Sequence, residues 1–228
     1  MVLFAKTRWL QEVVGSNHGL YVHKVLASVD HAVYYPDLSY KRSDSAKLVV
    51  AAMIRPSTAR RAPYRTIRIM NCLYRKYGER VEGITFGCHD AELERLGTRL
   101  ERTRHLGVLG RREVGDLMRH VDLFLDLSDF QAFGRTAIEA MSCGAVALVP
   151  AHGGAYEFGV HGVNCFVVDT RLDDRVIDAI DSYVRMEASQ RRRMRLAAIS
   201  TGYRYAPELA ALSELSLFSS VALGWGDR

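Results

Sequence analysis

Three arginines that could bind an anion follow an apolar stretch of the chain. Residues 47–54 (KLVVAAMI) are almost wholly apolar, and Arg55, Arg60 and Arg61 come within the next seven positions. A guanidinium group presents fixed pairs of N–H donors that match the oxygens of a phosphate. Taken by themselves, Arg60 and Arg61 also fit an ordinary solvated loop. Whether these arginines form an anion-binding site therefore depends on which residues the fold places beside them.

A glycine-containing loop after a second apolar stretch offers another anion-binding element. Residues 128–136 (SDFQAFGRT) enter a predicted helix near Gly134, which lets the backbone approach a ligand closely. The free N–H groups at that helix start favour an anion, and Thr136 adds a hydroxyl donor. Glu139 lies about one turn further and could accept hydrogen bonds from the two hydroxyls of a ribose, although a surface charge is the plainer interpretation. We expect the positive surroundings to keep its carboxylate ionised.

A glycine pair follows a third apolar stretch. Residues 145–150 (AVALVP) precede His152, Gly153 and Gly154, and two adjacent glycines by themselves indicate a turn. The chain has neither GxGxxG after its first apolar stretch nor GxxxxGK[ST], which argues against a dinucleotide-binding enzyme and a P-loop nucleotide hydrolase. The eight histidines show no spacing typical of metal ligands. Ser142 is not in a GxSxG elbow, so a hydrolase triad is unsupported.

These segments meet if the apolar stretches are strands of one parallel sheet. Strand-like stretches alternate with amphipathic helices between about residues 46 and 170, which predicts βαβ units. The expected fold is α/β, a doubly wound, Rossmann-like parallel sheet, in which ligands bind beyond the carboxyl ends of the strands. The predicted strands are 47–54, 83–87, 105–109, 123–127, 145–150 and 165–168, and the predicted helices are 64–77, 90–96, 112–121, 136–143, 175–186, 190–203 and 209–218.

The overall composition is that of an ordinary globular protein. The chain has 228 residues, of which 48% are hydrophobic and 25% charged, and a net charge of +5. This mild excess of positive charge suits an anionic ligand or a membrane surface and does not by itself indicate that the chain binds nucleic acid. The four widely spaced cysteines and the lack of a secretory leader predict reduced thiols in a cytoplasmic protein. The arginine tract 191–195 is predicted to be a solvated helix face.

The block SDFQAFGRTAIEAMSCG (residues 128–144) resembles the signature of the retaining glycosyltransferases of family 4, which have the GT-B fold. That signature is a serine, then E-x7-E containing FG, then EAM-small-CG. Two further stretches are similar to the family segments that neighbour this signature: GGAYEFGVHGVNCFVV and HLGVLGRREVGDLMRHVDLFLDLS. Arg55 and Arg60 match the family's R-x4-K pattern. The stretch WLQEVV and the later VDHAVYYP resemble the end of the family's first domain. The resemblance covers roughly residues 7–185.

The resemblance implies transfer of a hexosyl or rhamnosyl group from a nucleoside diphosphate sugar to an acceptor, with retention of configuration. Catalytic roles fall to Gln131, which would contact the donor sugar, and to Arg55 and Arg60, which would neutralise the diphosphate. No metal ion or other cofactor is required besides the nucleotide-sugar donor. The implied substrate-binding residues are Arg61, Phe133, Gly134, Arg135, Thr136, Glu139, Gly153 and Gly154.

The sequence departs from the family pattern in three respects. Gln131 stands where the family has its first glutamate, so it carries no charge to stabilise a developing oxocarbenium ion. Arg60 stands where the family usually has lysine. We also expect most of the first GT-B domain to be missing. Residues 1–45, with a polar linker at 39–45, would be a lead-in resembling its end, residues 46–185 the Rossmann-like nucleotide-sugar-binding domain, and residues 186–228 C-terminal helices.

Other functions stay open at this point. The chain could be a non-catalytic module that binds a nucleotide or nucleotide sugar, or a subunit of a split enzyme, while an isomerase or epimerase of similar architecture fits the motifs less well. The acceptor could be a glycan, a lipid-linked molecule or a small molecule. A separate acceptor-domain protein, self-association and peripheral contact with the inner face of the membrane are also open, and nucleic acid is not expected as a partner.

Overall fold

The computed structural model describes residues 2–37 and 47–224 and has its elements in the order that the sequence predicts for a βαβ chain. The polar linker expected at 39–45 lies outside the described residues. In chain order the elements are β1 (Phe4–Ala5), α1 (Arg8–His18), β2 (His23–Lys24), β3 (Leu48–Met53), α2 (Pro63–Tyr77), β4 (Val81–Phe86), α3 (Asp90–Glu94), β5 (Arg104–His105), α4 (Arg111–His120), β6 (Leu123–Leu125), α5 (Arg135–Ser142), β7 (Val146–Pro150), β8 (Cys165–Val168), α6 (Asp173–Arg185), α7 (Ala188–Tyr203) and α8 (Pro207–Ala222).

The main sheet is parallel and six-stranded, with the order β5-β4-β3-β6-β7-β8. Strand β3 pairs with β4 on one side and with β6 on the other, with Val50 opposite Leu123 and Ala51 opposite Phe124. The strand order reverses between β3 and β6, which is the switch point of a doubly wound sheet. The expected α/β, Rossmann-like fold is therefore confirmed, and the loops that follow β3 and β6 leave the sheet side by side.

Both faces of the sheet are buried, because successive strand residues point to opposite sides. On one face Ala51 and Phe124 pack in a core that includes Ile138 of α5. On the other face Val50 and Leu123 pack in a core built also from α2 and α6. The near-continuous apolar character of β3, β6 and β7 follows from this double burial.

Helices α5 and α7 cross closely at Gly202. A side chain at Gly202 would meet Ser142, whose Cα would lie 2.8 Å from the added Cβ. The arginine tract on α7 is only partly solvated: Arg191 donates to the carbonyl of Met186 at 2.8 Å, and Arg195 donates to the carbonyl of Gly144 at 2.8 Å. The predicted solvated face is found at Arg192 and Arg193, which are exposed. Arg191 and Arg195 are half-buried instead, because their guanidinium groups satisfy carbonyls left free at the ends of helices.

Several predicted elements differ in length from the observed ones, and the causes are clear for two of them. The strand expected at 105–109 is reduced to β5, because the chain turns away at Gly107, which adopts a left-handed conformation (φ 69°). The helix expected at 209–218 extends over the whole of α8 and begins at Pro207, a favourable first position for proline. No helix within 2–37 or 47–224 is long and apolar enough to cross a membrane.

A small N-terminal unit packs on α8. Strands β1 and β2 form a parallel pair of two residues each, with α1 between them. Helix α8 holds this unit through the edge-to-face rings of Phe4 and Phe218, whose centroids are 6.1 Å apart, and through an ion pair between Lys6 and Glu214. The division of the chain at residues 45 and 185 stays a prediction.

Candidate functional site

The loops after β3 and β6 meet at Arg60. The Arg60 carbonyl accepts a hydrogen bond from the Asp129 backbone N–H at 2.8 Å. Its guanidinium donates to the Gln131 side-chain oxygen at 3.2 Å and lies 5.6 Å from the centre of the Phe130 ring. The structure thus brings Arg60 to the loop that leads into α5, as the topology predicts.

A buried polar network lies beneath this contact. The Gln131 amide nitrogen donates to Asp126 Oδ2 at 2.7 Å and to Ser128 Oγ at 2.9 Å, and Ser128 Oγ donates to Asp126 Oδ1 at 2.5 Å. Gln131 is only 4% exposed. Both ends of its amide are therefore engaged within the protein, and its contact with a donor sugar stays a prediction.

The other two predicted arginines lie near Arg60 in different surroundings. Arg61 Nη1 is 3.8 Å from Asp126 Oδ2. Burial lowers the pKa of the Arg61 guanidinium, an effect that Asp126 opposes and that the charges of Arg60 and Arg55 reinforce. Arg55 is exposed and directs its Nε towards the sulfur of Met53 at 3.2 Å. The three side chains therefore create a local excess of positive charge at the carboxyl end of β3.

Helix α5 begins at Arg135, and Gly134 is the residue that immediately precedes it. Gly134 adopts a left-handed conformation (φ 97°), and no side chain caps the helix start. Any side chain here would be strained, and its Cβ would lie 3.3 Å from the ring of Phe158. Arg135 is exposed and Thr136 half-buried in the first turn. This helix start fits the predicted anion-binding element.

Glu139 is buried inside α5 and bonded to Arg135. Arg135 Nε donates to Glu139 Oε1 at 3.0 Å, and the carboxylate side chain is 9% exposed. Burial raises the pKa of Glu139, and the charges of Arg135 and Arg111 only partly oppose it. The expected positive neighbours are present, but desolvation of the carboxylate outweighs their attraction, so the pKa of Glu139 lies above its ordinary value. That the carboxylate is ionised when it meets a ligand stays a prediction.

Sequence reasoning did not identify two neighbours of Glu139. Burial is the largest cause that raises the pKa of Tyr34, and the charge of Glu139 raises it further, whereas a hydrogen bond from Arg111 lowers it. Tyr34 comes from the segment that precedes the main sheet and Arg111 from the start of α4. The motif VDHAVYYP contained Tyr34, but nothing in its spacing indicated a contact with α5.

The glycine pair packs two loops together. Gly154 N–H donates to the Gln131 carbonyl at 2.7 Å, and Gly153 forms a parallel bridge with Gln131. A Cβ on Gly153 would overlap the backbone of Gln131, and one on Gly154 would overlap that of Ala132. In the structure both glycines thus allow the backbones of the two loops to pack closely, and their contact with a substrate stays a prediction.

Aromatic residues surround the outer side of these loops. Phe133 packs edge-on against Phe158 and Tyr205, with ring centres 5.5 and 5.3 Å apart, so its observed contacts are with the protein core. Trp9 of α1 lies 6.0 Å from Phe130 and 5.9 Å from His152, measured between ring centres. No motif in the sequence linked Trp9 to this site, because the contact joins segments far apart in the chain.

The loop between β6 and α5 is fixed by two further side chains. Arg65 of α2 donates to the Leu127 carbonyl at 2.9 Å and to Asp129 Oδ1 at 2.8 Å. Thr170 Oγ1 donates to the Ser128 carbonyl at 2.6 Å. These contacts preorganise the loop. The described part of the chain contains no cluster of three or more His, Cys, Asp or Glu residues placed to hold a metal ion.

Comparison with known sequences points to one family. A family model described as glycosyl transferases group 1 matches residues 87–201. An uncharacterised glycosyltransferase of Bacillus subtilis (strain 168), YqgM, is 25% identical over 141 residues, which are 61% of this chain and 39% of that protein. Sucrose synthase 2 of Tulipa gesneriana is 30% identical over 98 residues, which are 41% of this chain and 12% of that protein.

Solved structures share the fold over nearly the whole chain. The Anabaena protein Alr3699/HepE, crystallised in complex with UDP and glucose, has a TM-score of 0.75 at 18% identity, covering 97% of this chain and 63% of that one. Sucrose-phosphate synthase from Thermosynechococcus elongatus has a TM-score of 0.81 at 14% identity, covering 97% and 58%. The chain therefore spans less than two thirds of the length of these relatives.

Proposed function

The chain belongs to the glycosyl transferases group 1 family, and from this membership and the geometry of the site we propose that it binds a nucleoside diphosphate sugar and takes part in transferring the sugar to an acceptor. One observation carries the proposal: Arg60 and Arg61 lie against the loop that leads into the uncapped start of α5. Arginine side chains and a helix start together suit a diphosphate, whose charge grows as the glycosidic bond to the donor sugar breaks.

Six of the predicted residues have a proposed role in binding the nucleotide. Arg55 and Arg60 neutralise the diphosphate, and the half-buried Arg61 adds positive charge next to them. The backbone of Gly134 and the hydroxyl of Thr136 cap the phosphate oxygens. Glu139 accepts hydrogen bonds from the ribose, and its burial leaves those bonds little competition from water.

The finer assignment rests on the motif block at residues 128–144. We propose the retaining family 4 mechanism and a hexosyl or rhamnosyl donor because that block resembles the family signature, with Gln131 replacing its first glutamate. UDP is the first ligand to test, because the related Anabaena protein was crystallised with it. The acceptor is a glycan, a lipid-linked molecule or a small molecule.

A non-catalytic binding module is the second candidate, and one observation favours it. Gln131 carries no charge, and its amide is held by Asp126, Ser128 and Arg60. A site of this kind could hold the nucleotide without promoting cleavage of the sugar bond. In that case the chain would bind the donor for a partner protein that carries the acceptor site.

Calorimetric titration with UDP, GDP, ADP and dTDP tests the binding site. Replacing Arg55 and Arg60 together by alanine should weaken binding of the preferred nucleotide by about 1.5–3 kcal/mol for each charged hydrogen bond lost. Arg75→Ala is the matched control, because Arg75 is an exposed arginine of α2 paired with Glu101 away from the site. Unchanged affinity in the Arg55/Arg60 double variant would disprove the assigned site.

A transfer assay separates the two candidates. The full chain is incubated with the sugar form of the nucleotide that it binds and with candidate acceptors, and the anomeric configuration of any product is read by NMR. Product with the donor's configuration supports the retaining mechanism, and product with the opposite configuration contradicts it. Tight donor binding without turnover favours the binding module.

A further inference from the structure

Asp126 is a buried carboxylate that none of the roles above uses. It lies within the apolar stretch LFLDL (residues 123–127) and is 5% exposed. A carboxylate so far from solvent must be hydrogen-bonded or paired, because losing its hydration is costly. Oδ1 accepts from the Ser128 backbone N–H at 3.2 Å and from its hydroxyl, Oδ2 accepts from the Gln131 amide, and Arg61 lies 3.8 Å away.

Asp126 determines which way the Gln131 amide faces. An ionised carboxylate can only accept hydrogen bonds, so the amide must turn its NH₂ group towards Asp126. Its carbonyl oxygen is then directed at Arg60, from which it accepts at 3.2 Å. The three side chains form a continuous series of carboxylate, amide and guanidinium, in which each hydrogen bond polarises the next.

We propose that Asp126 is a positioning residue for the diphosphate site, holding Arg60 in place through the Gln131 amide and attracting Arg61 directly. The proposal rests on the proposed function, because it assumes that Arg60 and Arg61 meet the diphosphate. Fixing the two cations before the ligand arrives lowers the entropy lost on binding. The negative charge of the network thus lies on Asp126, and the neutral Gln131 stands between Asp126 and Arg60 and is hydrogen-bonded to both.

This arrangement predicts that residues 126 and 131 must differ in charge. In the variant Gln131→Glu, two carboxylates would stand where the present contact is 2.7 Å. Like charges at this distance share a proton or move apart. In the double variant Asp126→Asn with Gln131→Glu, the amide and the carboxylate exchange places, and the carboxylate at position 131 can again accept from Arg60.

The experiment measures UDP affinity by calorimetry between pH 5.5 and 8 for the full chain and three variants: Asp126→Asn, Gln131→Glu and the double variant. We expect each single variant to bind UDP at least about tenfold more weakly at pH 8, which corresponds to roughly 1.4 kcal/mol. Gln131→Glu should recover affinity relative to wild type as the pH falls, because a proton then bridges the two carboxylates. The double variant should bind within about threefold of wild type at every pH.

The pH comparison needs the other charged groups around the network to be accounted for. Arg60 and Arg61 face it from the loop after β3, Arg65 and Asp129 pair at its side, and the His152 ring stands edge-on to Phe130. These groups are present in wild type and in all three variants, so any effect that they have on UDP affinity appears in wild type as well. The ratio of variant to wild-type affinity therefore reports the carboxylate pair.

Each result decides between the positioning role and a simpler explanation. If the added charge of Gln131→Glu merely repels the diphosphate, the double variant stays as weak as the single one, and the positioning role is overturned. Equal affinities for all four proteins overturn it as well. A wild-type chain that binds none of UDP, GDP, ADP and dTDP overturns the proposed function together with this inference.

Two controls accompany these titrations, one for folding and one for the loss of a carboxylate elsewhere in the chain. Thermal unfolding of every variant shows whether it is folded at the titration temperature. Asp173→Asn removes a carboxylate bound by Arg68 on the surface and should leave UDP affinity unchanged. Because the double variant keeps both hydrogen-bonding partners, it tests the proposal even if Asp126→Asn is unstable.

Discussion

Glu139 has a stability cost that depends on pH. Its pKa in the folded protein is raised above 4.5 by burial, so the folded state holds the proton more tightly than the unfolded chain does. The stability that this proton contributes is present at low pH and is lost as the pH rises through the folded pKa. Glu139→Gln should therefore gain stability relative to wild type between pH 4 and pH 7, as urea unfolding would measure. A stability difference that is constant with pH would contradict this.

The same residue should distinguish ribose from deoxyribose. If the Glu139 carboxylate accepts hydrogen bonds from the ribose hydroxyls, wild type should bind UDP more tightly than dUDP, and Glu139→Gln should bind the two about equally. A neutral amide is a weaker acceptor than a carboxylate, and a charged hydrogen bond contributes about 1.5–3 kcal/mol. Competitive titration of both nucleotides checks this. Equal affinities in wild type would remove the ribose assignment.

At the level of the elements, the glycine pair determines whether the loop before α5 can form. Gly154→Ala would force a methyl group into the backbone of Ala132, and we expect a loss of about 2–3 kcal/mol in the free energy of unfolding. Gly15→Ala in α1 is the matched control, since the nearest atom there is 3.7 Å away and alanine favours a helix by about 0.5–1 kcal/mol. Urea unfolding should therefore show opposite signs for the two substitutions.

The elements also show why sequence reasoning succeeded for some segments. Strands β3, β6, β7 and β8 are buried on both faces, so each leaves a continuous apolar stretch that is easily recognised. Strand β5 pairs only with β4 and has two residues, and β1 and β2 are equally short. Such strands are defined by pairing with distant segments and leave no periodic pattern.

The candidate site was predictable to a similar degree. The positions of Arg60 and of the start of α5 follow from topology, because the carboxyl ends of neighbouring parallel strands share one edge. The orientation of Gln131 does not, since its partner Asp126 sits inside an apolar stretch and nothing in the spacing marks it as a hydrogen-bonding partner. The contact of Trp9 with Phe130 was equally invisible, because it joins separate units of the fold.

For the molecule as a whole, thiol reactivity should report the folded state. Burial raises the pKa of Cys88 to about 11 and those of Cys143 and Cys165 to about 12, whereas Cys72 is half-buried. Because the thiolate is the reactive form, iodoacetamide at pH 8 should modify Cys72 first in the native chain and all four cysteines in urea. Mass spectrometry of labelled peptides checks this. Rapid native labelling of Cys143 would contradict the described packing.

The attachment of α8 to the N-terminal unit has a consequence for the order of folding. Lys6 and Glu214 are 208 positions apart, and the hydrogen bond from Leu26 N–H to Ser213 Oγ spans 187. Closing loops of this length costs more chain entropy than joining neighbouring βαβ units, so these contacts are expected to form last and to open first. Local opening of this kind would detach β1, α1 and β2 while the six-stranded sheet stays intact. Trp9 would leave Phe130 at the same moment, so the two ends of the chain together control one side of the candidate site.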